Sequence, residues 1–503
     1  MRPSLVLAID QGTTNSKALL VTADGQVVAQ AAHALAPIVT PRPGWFEQDA
    51  EDLWQATLAA VSACLALLPA AGRNAVAGLA ITNQRESVVA WRRSSGQPVS
   101  SVLGWQDART ADFCQRLAQT GAGESVPAKT GLPLDPMFSG PKLRWLFDEL
   151  TGPLDDICLG TIDAYLIARL SGRCATEAGN ASRSLLFDLH SLDWDDELLD
   201  LFGLPRTVLP PVLASDADYG TTTVAGLLPD AVPILAVLGD SHAALYGHCL
   251  TQPGAGKVTY GTGSSVMVPL GDAMDGLGDF PAAVSTTLAW RTAQPGYARE
   301  GNIIATGAAL DALAGWLRLG DVGALLALAS DELGMTPAQC PGLSYVPAFA
   351  GLGAPYWDRQ ALGLLAGLGR TTSAAEVAWA GLDAVAQQVC DVIDAIHAAG
   401  DRLDAIWADG GLTTSPALMQ LQADLVGLPV QVSAVAQASA LGVARLAWQR
   451  IDPTGALPMQ PARVYRPERS ADWRAIERAR WQDAVARARG QAVAEPAKGW
   501  QEG

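Results

Sequence analysis

AIDQGTTNSK, residues 8–17, joins an apolar run to an acidic residue, Asp10, and then to a Gly-Thr-Thr turn. The apolar run from Leu5 to Ile9 has the length of a buried β-strand. Gly12 permits a tight turn with exposed backbone amides, and successive amides can form a nest for a polyanion. Asp10 can hold a magnesium ion through water. The pattern predicts a phosphate-binding hairpin, although an ordinary strand and turn could have the same local sequence.

Length, composition and charge limit the function classes. The chain has 503 residues, which predicts two large domains. Its net charge of −17 argues against nucleic acid or anionic membrane as a partner, because both require a basic surface. An anionic ligand such as ATP must then be held by local amides, a few cations and a metal ion.

The cysteines indicate a reducing compartment. There are seven, none of them in a CxxC pair, which favours buried, reduced thiols in a cytoplasmic protein over a disulfide scaffold or a zinc site. The apolar run at residues 5–9 is too short for a signal sequence. No run of 18 apolar residues occurs, so no membrane span is expected.

Strand-like and helix-like patterns alternate along the chain, which predicts α/β layers. Strands are expected near residues 5–9, 17–22, 76–82, 87–91, 233–238, 256–260 and 404–408, and helices over 50–68, 374–398, 416–425 and 470–490. Asp49 is a plausible N-cap for the first helix. We predict an N-terminal domain over residues 1–250, a C-terminal domain over 251–470, and a C-terminal helix with a frayed tail over 471–503.

A second Gly-Thr turn follows another strand-like run, in VTYGTGSS, with Thr262 between two glycines. Two such hairpins, one in each half of the chain, are what a nucleotide held by two related domains would need. A plain hairpin is the equally weighted alternative. Gly410 and Gly411, in ADGGLTTS, would let a flat adenosine lie against the backbone, and residues 413–415 would cap the next helix.

Three residues suggest substrate chemistry. Arg85 and Glu86 follow a strand and could grip vicinal hydroxyls, since a guanidinium donates and a carboxylate accepts; a surface ion pair is the alternative. Asp240 ends the strand of AVLGDSHAAL, where a carboxylate is well placed as a base for a substrate hydroxyl. A helix N-cap is its alternative role. His242 is expected to be structural, and Asp107 to be a turn or cap residue.

Taken in order, the motifs resemble the FGGY carbohydrate kinases, most closely the glycerol kinase branch. The resemblance covers Leu5 to about Trp473 and rests on DQGTT, GWFEQDAEDLW, ITNQRE, WQDART, GLPLDPMFSGPKL, NASRSLLFDLHSLDWDDELL, GDSHAAL, YGTG, PAFAGLGAPYWD and DGGLTTSPALMQLQAD. It implies two actin-like domains of the ribonuclease-H type around a central cleft, with Mg-ATP as cofactor and a small polyol or sugar as substrate.

The resemblance also implies roles for individual residues. The expected nucleotide-binding residues are Thr13, Thr14, Asn15, Lys17, Thr262, Gly307, Asp311, Gly411 and Ser415. Asp10 would hold the metal through water. The expected substrate-binding residues are Arg85, Glu86, Met137, Asp240 and Ser241, with Asp240 as the catalytic base.

Several residues depart from the glycerol kinase pattern. Met137 replaces a tyrosine, Ser241 a glutamine and Ser265 a phenylalanine, which predicts a wider substrate pocket. Asp311 stands where glutamine is usual and Ser415 where asparagine is usual, which changes the expected contacts to adenosine.

We therefore predict a cytoplasmic, ATP-dependent kinase for a polyol or sugar larger than glycerol, such as a tetritol, pentitol or ketose. Glycerol kinase is the first alternative, and a non-catalytic ATP-binding sensor on the same fold is the second. A homodimer is compatible with the sequence, whereas nucleic-acid and membrane partners are disfavoured.

Overall fold

The computed structural model describes residues 5–273, 280–331, 342–433, 437–453 and 461–491. These residues form two compact units, each assembled from separate parts of the chain. The first unit comprises residues up to Lys257, Met267–Glu300 and the segment that begins at Gln437. The second comprises Val258–Val266, the segment that begins at Gly301 and the segment that follows residue 460. The chain passes between the units within β15 (Gly254–Tyr260), β16 (Ser264–Gly271) and β18 (Pro295–Ile303).

The first unit contains most of the short strands. Its strands are β1 (Leu5–Gln11), β2 (Asn15–Val21), β3 (Val27–Ala34), β4 (Glu47–Gln48), β5 (Val76–Asn83), β6 (Val88–Arg92), β7 (Val102–Leu103), β8 (Ile157–Thr161), β9 (Thr176–Glu177), β10 (Phe187–Asp188), β11 (Asp193–Trp194), β12 (Val212–Leu213), β13 (Thr221–Thr222), β14 (Val232–Gly239) and β17 (Ser285–Arg291). Its helices are α1 (Ala50–Ala66), α2 (Ala111–Ala118), α3 (Ala122–Thr130), α4 (Ser139–Glu149), α5 (Ile162–Ser171), α6 (Ala178–Ala181), α7 (Asp196–Phe202), α8 (Asp240–Gly247) and α13 (Ala438–Ile451).

The main sheet of the first unit has six strands in the order β13-β14-β5-β1-β2-β3. The middle strands β14, β5 and β1 are parallel, and they are almost wholly buried. This burial explains why they are continuous apolar runs instead of alternating patterns. In the register of these strands Thr82 of β5 is paired with Asp10 on one side and with Leu238 on the other. The residues that follow these three strands therefore meet at one edge of the sheet.

Helix α13 explains why a late segment belongs to the first unit. It packs along α8, and the two helices approach so closely that a Cβ on Gly442 would lie 1.7 Å from the carbonyl oxygen of Ala243. The indole nitrogen of Trp448 donates to the carbonyl of Val21 in β2, at 3.2 Å. The segment is fixed by helix packing and not by its position in the sequence. This noncontiguous arrangement differs from the linear division predicted at residue 250, which stays a prediction.

The second unit carries the longest helix of the described chain, α11 (Ala374–Ala398), which begins with a capping box formed by Ser373 and Glu376. Its other elements are α9 (Gly307–Trp316), α10 (Val322–Asp331), β19 (Ser344–Val346), β20 (Leu364–Ala366), β21 (Leu403–Asp409), α12 (Pro416–Val426), β22 (Val430–Ser433), β23 (Pro461–Tyr465) and α14 (Ala471–Ala488). Strand β21 is parallel to β22, which is antiparallel to β23.

The predicted elements agree closely with the structure. All seven predicted strands are present, and their bounds differ by one or two residues. Helix α11 has the predicted bounds, and Asp49 caps α1 by accepting from the amides of Glu51 and Asp52. The six described cysteines are free thiols, whereas Cys340 lies outside the described residues, as does the tail after residue 491. Among the described helices, none has the length and apolar composition needed to cross a bilayer.

Candidate functional site

The carboxyl edge of the main sheet in the first unit brings Asp10 and Asp240 close together. Burial raises the pKa of the Asp10 carboxyl to about 6, Lys17 opposes this rise, and the negative charge of Asp240 adds to it. The Lys17 ammonium nitrogen lies 3.9 Å from Asp10 Oδ2 and 3.2 Å from Gln437 Oε1. Asp10 is largely removed from solvent, and two carboxylates share one nearby ammonium group, so an additional cation would be favoured there. This environment suits a metal ion.

Glutamines hold the turn after β1 in place. The Gly12 amide donates to the Asn15 carbonyl at 3.0 Å, which closes the turn. Gln11 Nε2 donates to the Gly12 carbonyl at 2.7 Å, and Gln84 Nε2 donates to Gln11 Oε1 at 3.3 Å. These buried amides connect the turn to the end of β5. Neither glutamine is among the residues predicted to act in the site, although both are next to such residues, in DQGTT and TNQRE.

The predicted nucleotide-binding residues of this turn differ in solvent exposure and in their hydrogen bonds. Thr14 is exposed, and Thr13 and Asn15 are partly exposed. Thr13 Oγ1 accepts from the indole nitrogen of Trp105 at 3.1 Å, and its carbonyl accepts from Gln48 Nε2 at 2.9 Å. Trp105 thus fixes the orientation of the Thr13 hydroxyl.

Arg85 is the centre of a buried cluster of charges. Its Nη1 and Nη2 donate to the two carboxylate oxygens of Glu300, at 2.9 and 2.5 Å. Its Nε donates to Asp240 Oδ1 at 3.2 Å, and its Nη1 also lies 3.1 Å from His242 Nε2. Bidentate pairing of this kind fixes a guanidinium plane in orientation. Arg85 is therefore a rigid support for Asp240.

Glu86 belongs to the same cluster through a second arginine. Arg183 Nε donates to Glu86 Oε1 at 2.6 Å, and Arg183 Nη1 lies 2.9 Å from Glu300 Oε2. In the described part of the chain no residue donates to Glu86 Oε2. The backbone of Glu86 has φ +61°, an uncommon conformation for a residue with a side chain. Strain of this kind is found at functional sites.

Electrostatics fix the protonation states in the cluster. Burial alone would raise the pKa of Glu300, but the guanidinium groups of Arg183 and Arg85 lower it far below its usual range. Burial and the charge of Arg85 lower the pKa of His242 well below its usual value. Glu300 is thus charged and His242 neutral, and the ring nitrogen that faces Arg85 accepts a hydrogen bond.

Asp240 is the accessible acid of the cluster. Its side chain is 40 % exposed, whereas that of Arg85 is 4 % exposed and that of Glu300 is fully buried. Its Oδ1 accepts from the amide of Ser241 at 2.6 Å as well as from Arg85. Asp240 is the first residue of α8, and the N-cap is Gly239. A Cβ at Gly239 would lie 2.5 Å from Arg85 Cγ, so only glycine leaves room for the arginine.

Met137 lies next to this cluster, on a segment that hydrogen bonds from Ser139 and Lys142 hold in place. Ser139 Oγ donates to the Glu86 carbonyl at 3.2 Å, which places the start of α4 against Glu86. The Lys142 ammonium donates to the carbonyls of Pro136, Met137 and Phe138. Burial lowers the pKa of Lys142 to about 8.

The structure shows the partners of four residues that the sequence had singled out. Arg85 and Glu86 do not form an exposed ion pair with each other, because each is buried and paired with a residue distant in sequence. His242 is structural as predicted, but it has a partner, Arg85. Asp107 is a turn residue, one of its two expected roles, because its carboxylate accepts from the amide of Arg109 two residues later, at 3.0 Å. It is buried and also accepts from the Phe46 amide, and the N-cap of α2 is Thr110.

Glu300, Arg183 and Lys142 were not selected from the sequence, and Trp105 was noted there in WQDART without a role. Glu300 and Arg183 are fully buried charged residues in segments of small and apolar residues, YAREGNI and NASRSLL. A charged residue in such a segment indicates a buried ion pair, because a buried charge needs a partner. The sequence does not show which partner.

In the second unit three segments converge around the Gly-Thr turn. The Gly307 amide donates to the Gly261 carbonyl at 3.0 Å, and the amides of Thr306 and Ala308 donate to the Thr262 carbonyl. Gly410 has φ +96°, and a Cβ there would lie 2.3 Å from the carbonyl oxygen of Tyr260. The structure thus brings Thr262, Gly307 and the Gly410–Gly411 turn together.

The remaining predicted nucleotide residues lie in a short turn, on α9 and at the start of α12. Gly411 is exposed, and no atom lies within 4 Å of where its Cβ would be. Asp311 is exposed on α9, one turn after Gly307. Ser415 is buried and caps α12, its hydroxyl accepting from the Leu418 amide at 3.3 Å. Ser265, predicted to widen the substrate pocket, is buried on β16 in this unit.

Comparison with known proteins identifies the family. Residues 5–247 match the N-terminal domain of the FGGY family of carbohydrate kinases, and residues 256–449 match its C-terminal domain. An apulose kinase from Pectobacterium atrosepticum is 41 % identical over 97 % of this chain and 99 % of its own length. A glycerol kinase from Paraburkholderia xenovorans is 40 % identical over 90 % of this chain and 92 % of its own.

Solved structures agree with this assignment and with the predicted two-domain α/β fold. The crystal structure of Plasmodium falciparum glycerol kinase with ADP has a TM-score of 0.85 at 25 % identity, covering 97 % of this chain and 98 % of that one. Kinases of this family use ATP. The predicted resemblance and enzyme class are thus confirmed: the chain belongs to the FGGY family of carbohydrate kinases, and it is a kinase of sugars or polyols.

Proposed function

We propose that this kinase transfers the terminal phosphoryl group of ATP to a hydroxyl of a ketose or sugar alcohol larger than glycerol, with Asp240 as the base. The observation that carries the proposal is the Asp240 carboxylate. It is 40 % exposed and is held at 3.2 Å by an arginine that Glu300 fixes in turn. A cytoplasmic location fits the use of ATP and belongs to the proposal.

The two oxygens of Asp240 have different tasks in this proposal. Oδ1 accepts from Arg85 Nε and from the Ser241 amide, so its orientation is fixed. No described residue donates to Oδ2, which leaves it able to accept a proton from a substrate hydroxyl. The transition state of phosphoryl transfer is loose, so a base needs mainly to orient the hydroxyl and take its proton late. A well-oriented carboxylate can do this.

Substrate hydroxyls would be held by Glu86 and the neighbouring groups. Glu86 Oε1 is engaged by Arg183, and Oε2 can accept from a sugar hydroxyl. Arg85 gives most of its donors to Glu300 and Asp240, so we assign it mainly to positioning. Met137 and Ser241 are smaller or more flexible than the tyrosine and glutamine of the glycerol kinase pattern, which supports a substrate with more than three carbons.

Metal and nucleotide binding follow from the same residues. Asp10 would hold a magnesium ion through water, and its raised pKa fits a carboxylate that gains a cation when the enzyme is loaded. The metal would neutralise charge on the phosphates. Thr13, Thr14, Asn15 and Lys17 would contact phosphates from the first unit. The residues assigned to the nucleotide in the second unit are Thr262, Gly307, Asp311, Gly411 and Ser415.

Two substrate classes compete. The relative named apulose kinase supports a sugar larger than glycerol, and the relatives named glycerol kinase, of nearly equal identity, support glycerol. An ATP-coupled assay over polyols and ketoses of three to six carbons, apulose included, separates them. We expect the highest kcat/KM for a substrate of four or more carbons. Glycerol as the best substrate by tenfold would overturn the larger-substrate proposal.

The role of Asp240 is tested by Asp240→Asn. We expect kcat to fall by about 10²–10⁴-fold, as for loss of a general base, while ATP still binds in a calorimetric titration. Asp230→Asn is the matched control, because Asp230 is an exposed aspartate in the loop before the same strand. Near-normal turnover of Asp240→Asn would contradict the assignment of the base.

A further inference from the structure

A pair of thiols lies in the first unit, apart from the cluster of Asp240. Cys158 is on β8 and is fully buried, and Cys174 is in the segment between α5 and β9 and is partly exposed. Their sulfur atoms are 3.2 Å apart. Of the described cysteines, these are the two whose sulfur atoms are hydrogen-bonded to each other.

Arg93 contacts Cys174, the more exposed cysteine of the pair. Arg93 Nη1 donates to Cys174 Sγ at 2.9 Å. The guanidinium is held in place because its Nε donates to the Ile157 carbonyl at 3.0 Å and its Nη2 to the Thr207 carbonyl at 2.6 Å. A fixed cation beside a thiol favours its thiolate form, which is the reactive nucleophile.

The protonation of the two sulfurs is unequal. The hydrogen bond from Cys158 lowers the pKa of Cys174 to about 7, and the Arg93 charge acts in the same direction against the effect of burial. Burial and the neighbouring sulfur raise the pKa of Cys158 far above its usual range. Near neutral pH the buried sulfur therefore keeps its proton, and the accessible sulfur is partly in the thiolate form.

We propose that Cys158 and Cys174 form a reversible oxidation site that reacts with a peroxide. The Cys174 thiolate attacks one oxygen of hydrogen peroxide, the O–O bond breaks, and the other oxygen leaves as water after taking a proton. Cys174 is then a sulfenic acid. The Cys158 sulfur attacks the Cys174 sulfur, its proton goes to the departing hydroxide, and a disulfide and a second water form. The two thiols lose two electrons in total, and the peroxide gains them.

The geometry allows the second step with little movement. A disulfide needs a sulfur–sulfur distance of about 2.05 Å, so the two atoms must approach by about 1.2 Å. Cys174 lies in a segment outside the helices and strands, between Ser171 and Thr176, which can move more readily than β8. A thiol donor reverses the reaction by exchange, returning both residues to the reduced state.

The test uses the fully reduced wild-type protein, titrated with hydrogen peroxide, alkylated and digested with trypsin. Trypsin cleaves after Arg169 and Arg173, so the disulfide appears as two separate peptides joined through Cys158 and Cys174. We expect this crosslink to form first, with two of the seven thiols lost and both restored by dithiothreitol. Random oxidation of the thiols, or a peroxide-resistant pair, would overturn the proposal.

Single substitutions distinguish the role of Cys174, which reacts with the peroxide, from that of Cys158, which forms the disulfide. In Cys158→Ser, Cys174 should stop at the sulfenic acid and be labelled by dimedone. In Cys174→Ser, Cys158 should stay reduced. Cys249→Ser is the matched control, because Cys249 also is partly exposed and contacts an arginine, Arg445. The crosslink should be unchanged in it.

The substitution Arg93→Met tests whether the positive charge of Arg93 makes Cys174 more reactive. We expect Cys174 oxidation to slow about tenfold, as its thiolate fraction falls toward that of an ordinary thiol. Because the variant also removes contacts to backbone carbonyls, its folding is checked by circular dichroism. If a variant is misfolded, the rates at which hydrogen peroxide oxidises Cys174 and Cys249 are compared in the wild-type protein. Oxidation of Cys174 about tenfold faster than that of Cys249 supports the proposal. Equal rates contradict it.

Discussion

The two regions that carry the predicted function are built in different ways. At the sheet edge of the first unit, charged side chains are fixed in pairs, with Glu300 between Arg85 and Arg183. Around the Gly-Thr turn of the second unit, backbone lies against backbone, and glycines such as Gly307 and Gly410 leave the necessary space. The first region depends on charge balance and the second on the absence of Cβ atoms.

This contrast predicts which kinds of substitution each region tolerates. In the first region a change of charge with no change of shape should be severe, because a buried charge without a partner is costly. In the second region the addition of a single methyl group should be severe at some glycines and harmless at others.

Glu300→Gln should have the largest effect on stability. It removes one negative charge between two buried guanidinium groups while keeping the shape of the side chain. Breaking a buried pair in this way costs about 3–5 kcal/mol, and turnover should fall because Arg85 loses its support. The free energy of unfolding in urea measures the first effect.

The control for this variant is Glu197→Gln, whose carboxylate pairs with Lys129 but is 84 % exposed. Exposed pairs contribute little, so its unfolding midpoint should match that of the wild type. Equal midpoints for both variants would show that the buried cluster does not stabilise the first unit.

Gly410→Ala should be the next most severe change. The glycine has φ +96°, and the new Cβ would lie 2.3 Å from the Tyr260 carbonyl oxygen. Strain and displacement together should cost about 1–3 kcal/mol, and the KM for ATP should rise as the turn shifts. Thermal unfolding and ATP kinetics measure the two effects.

Gly411→Ala is the matched variant, one residue away. Nothing lies within 4 Å of its Cβ position, so the fold should be unaffected. If Gly411 lies against the nucleotide as proposed, the KM for ATP should still rise while the melting temperature stays constant. An unchanged KM would remove Gly411 from the proposed nucleotide site.

Met137→Tyr should change specificity more than stability. The larger side chain narrows the space next to Glu86, so the ratio of kcat/KM for the larger substrate to that for glycerol should fall about tenfold or more. The KM for ATP should not change, which makes it the internal control. A constant substrate ratio would indicate that Met137 does not line the pocket.

Ser139→Ala should have the smallest effect. It removes the hydrogen bond of 3.2 Å to the Glu86 carbonyl, for a loss of about 1 kcal/mol. The sugar KM should rise a few-fold because Glu86 is less well fixed. Ser184→Ala is the control, since this buried serine donates to the Ala181 carbonyl instead. A similar loss of stability without a change in sugar KM is expected there.

Much of the candidate site could be predicted because its signals are local. Asp10 directly follows a short apolar run, Asp240 follows one after a single glycine, and Arg85 follows one after three polar residues. A polar residue near the end of a buried strand is recognisable in a single sequence. The partners could not be predicted, because pairing depends on the order of strands. Arg85 and Glu300, for example, are 215 residues apart.

By itself the sequence determined the alternation of strands and helices, the two Gly-Thr turns and the family, since these follow from local patterns of apolar, glycine and charged residues. Only the tertiary structure decided that β5 lies between β1 and β14, that Glu300 joins two arginines, and that Gln437 and the helix after it belong with the first unit. The physical reason is that local backbone preferences act over a few residues, whereas burial brings together charges and helices from distant parts of the chain.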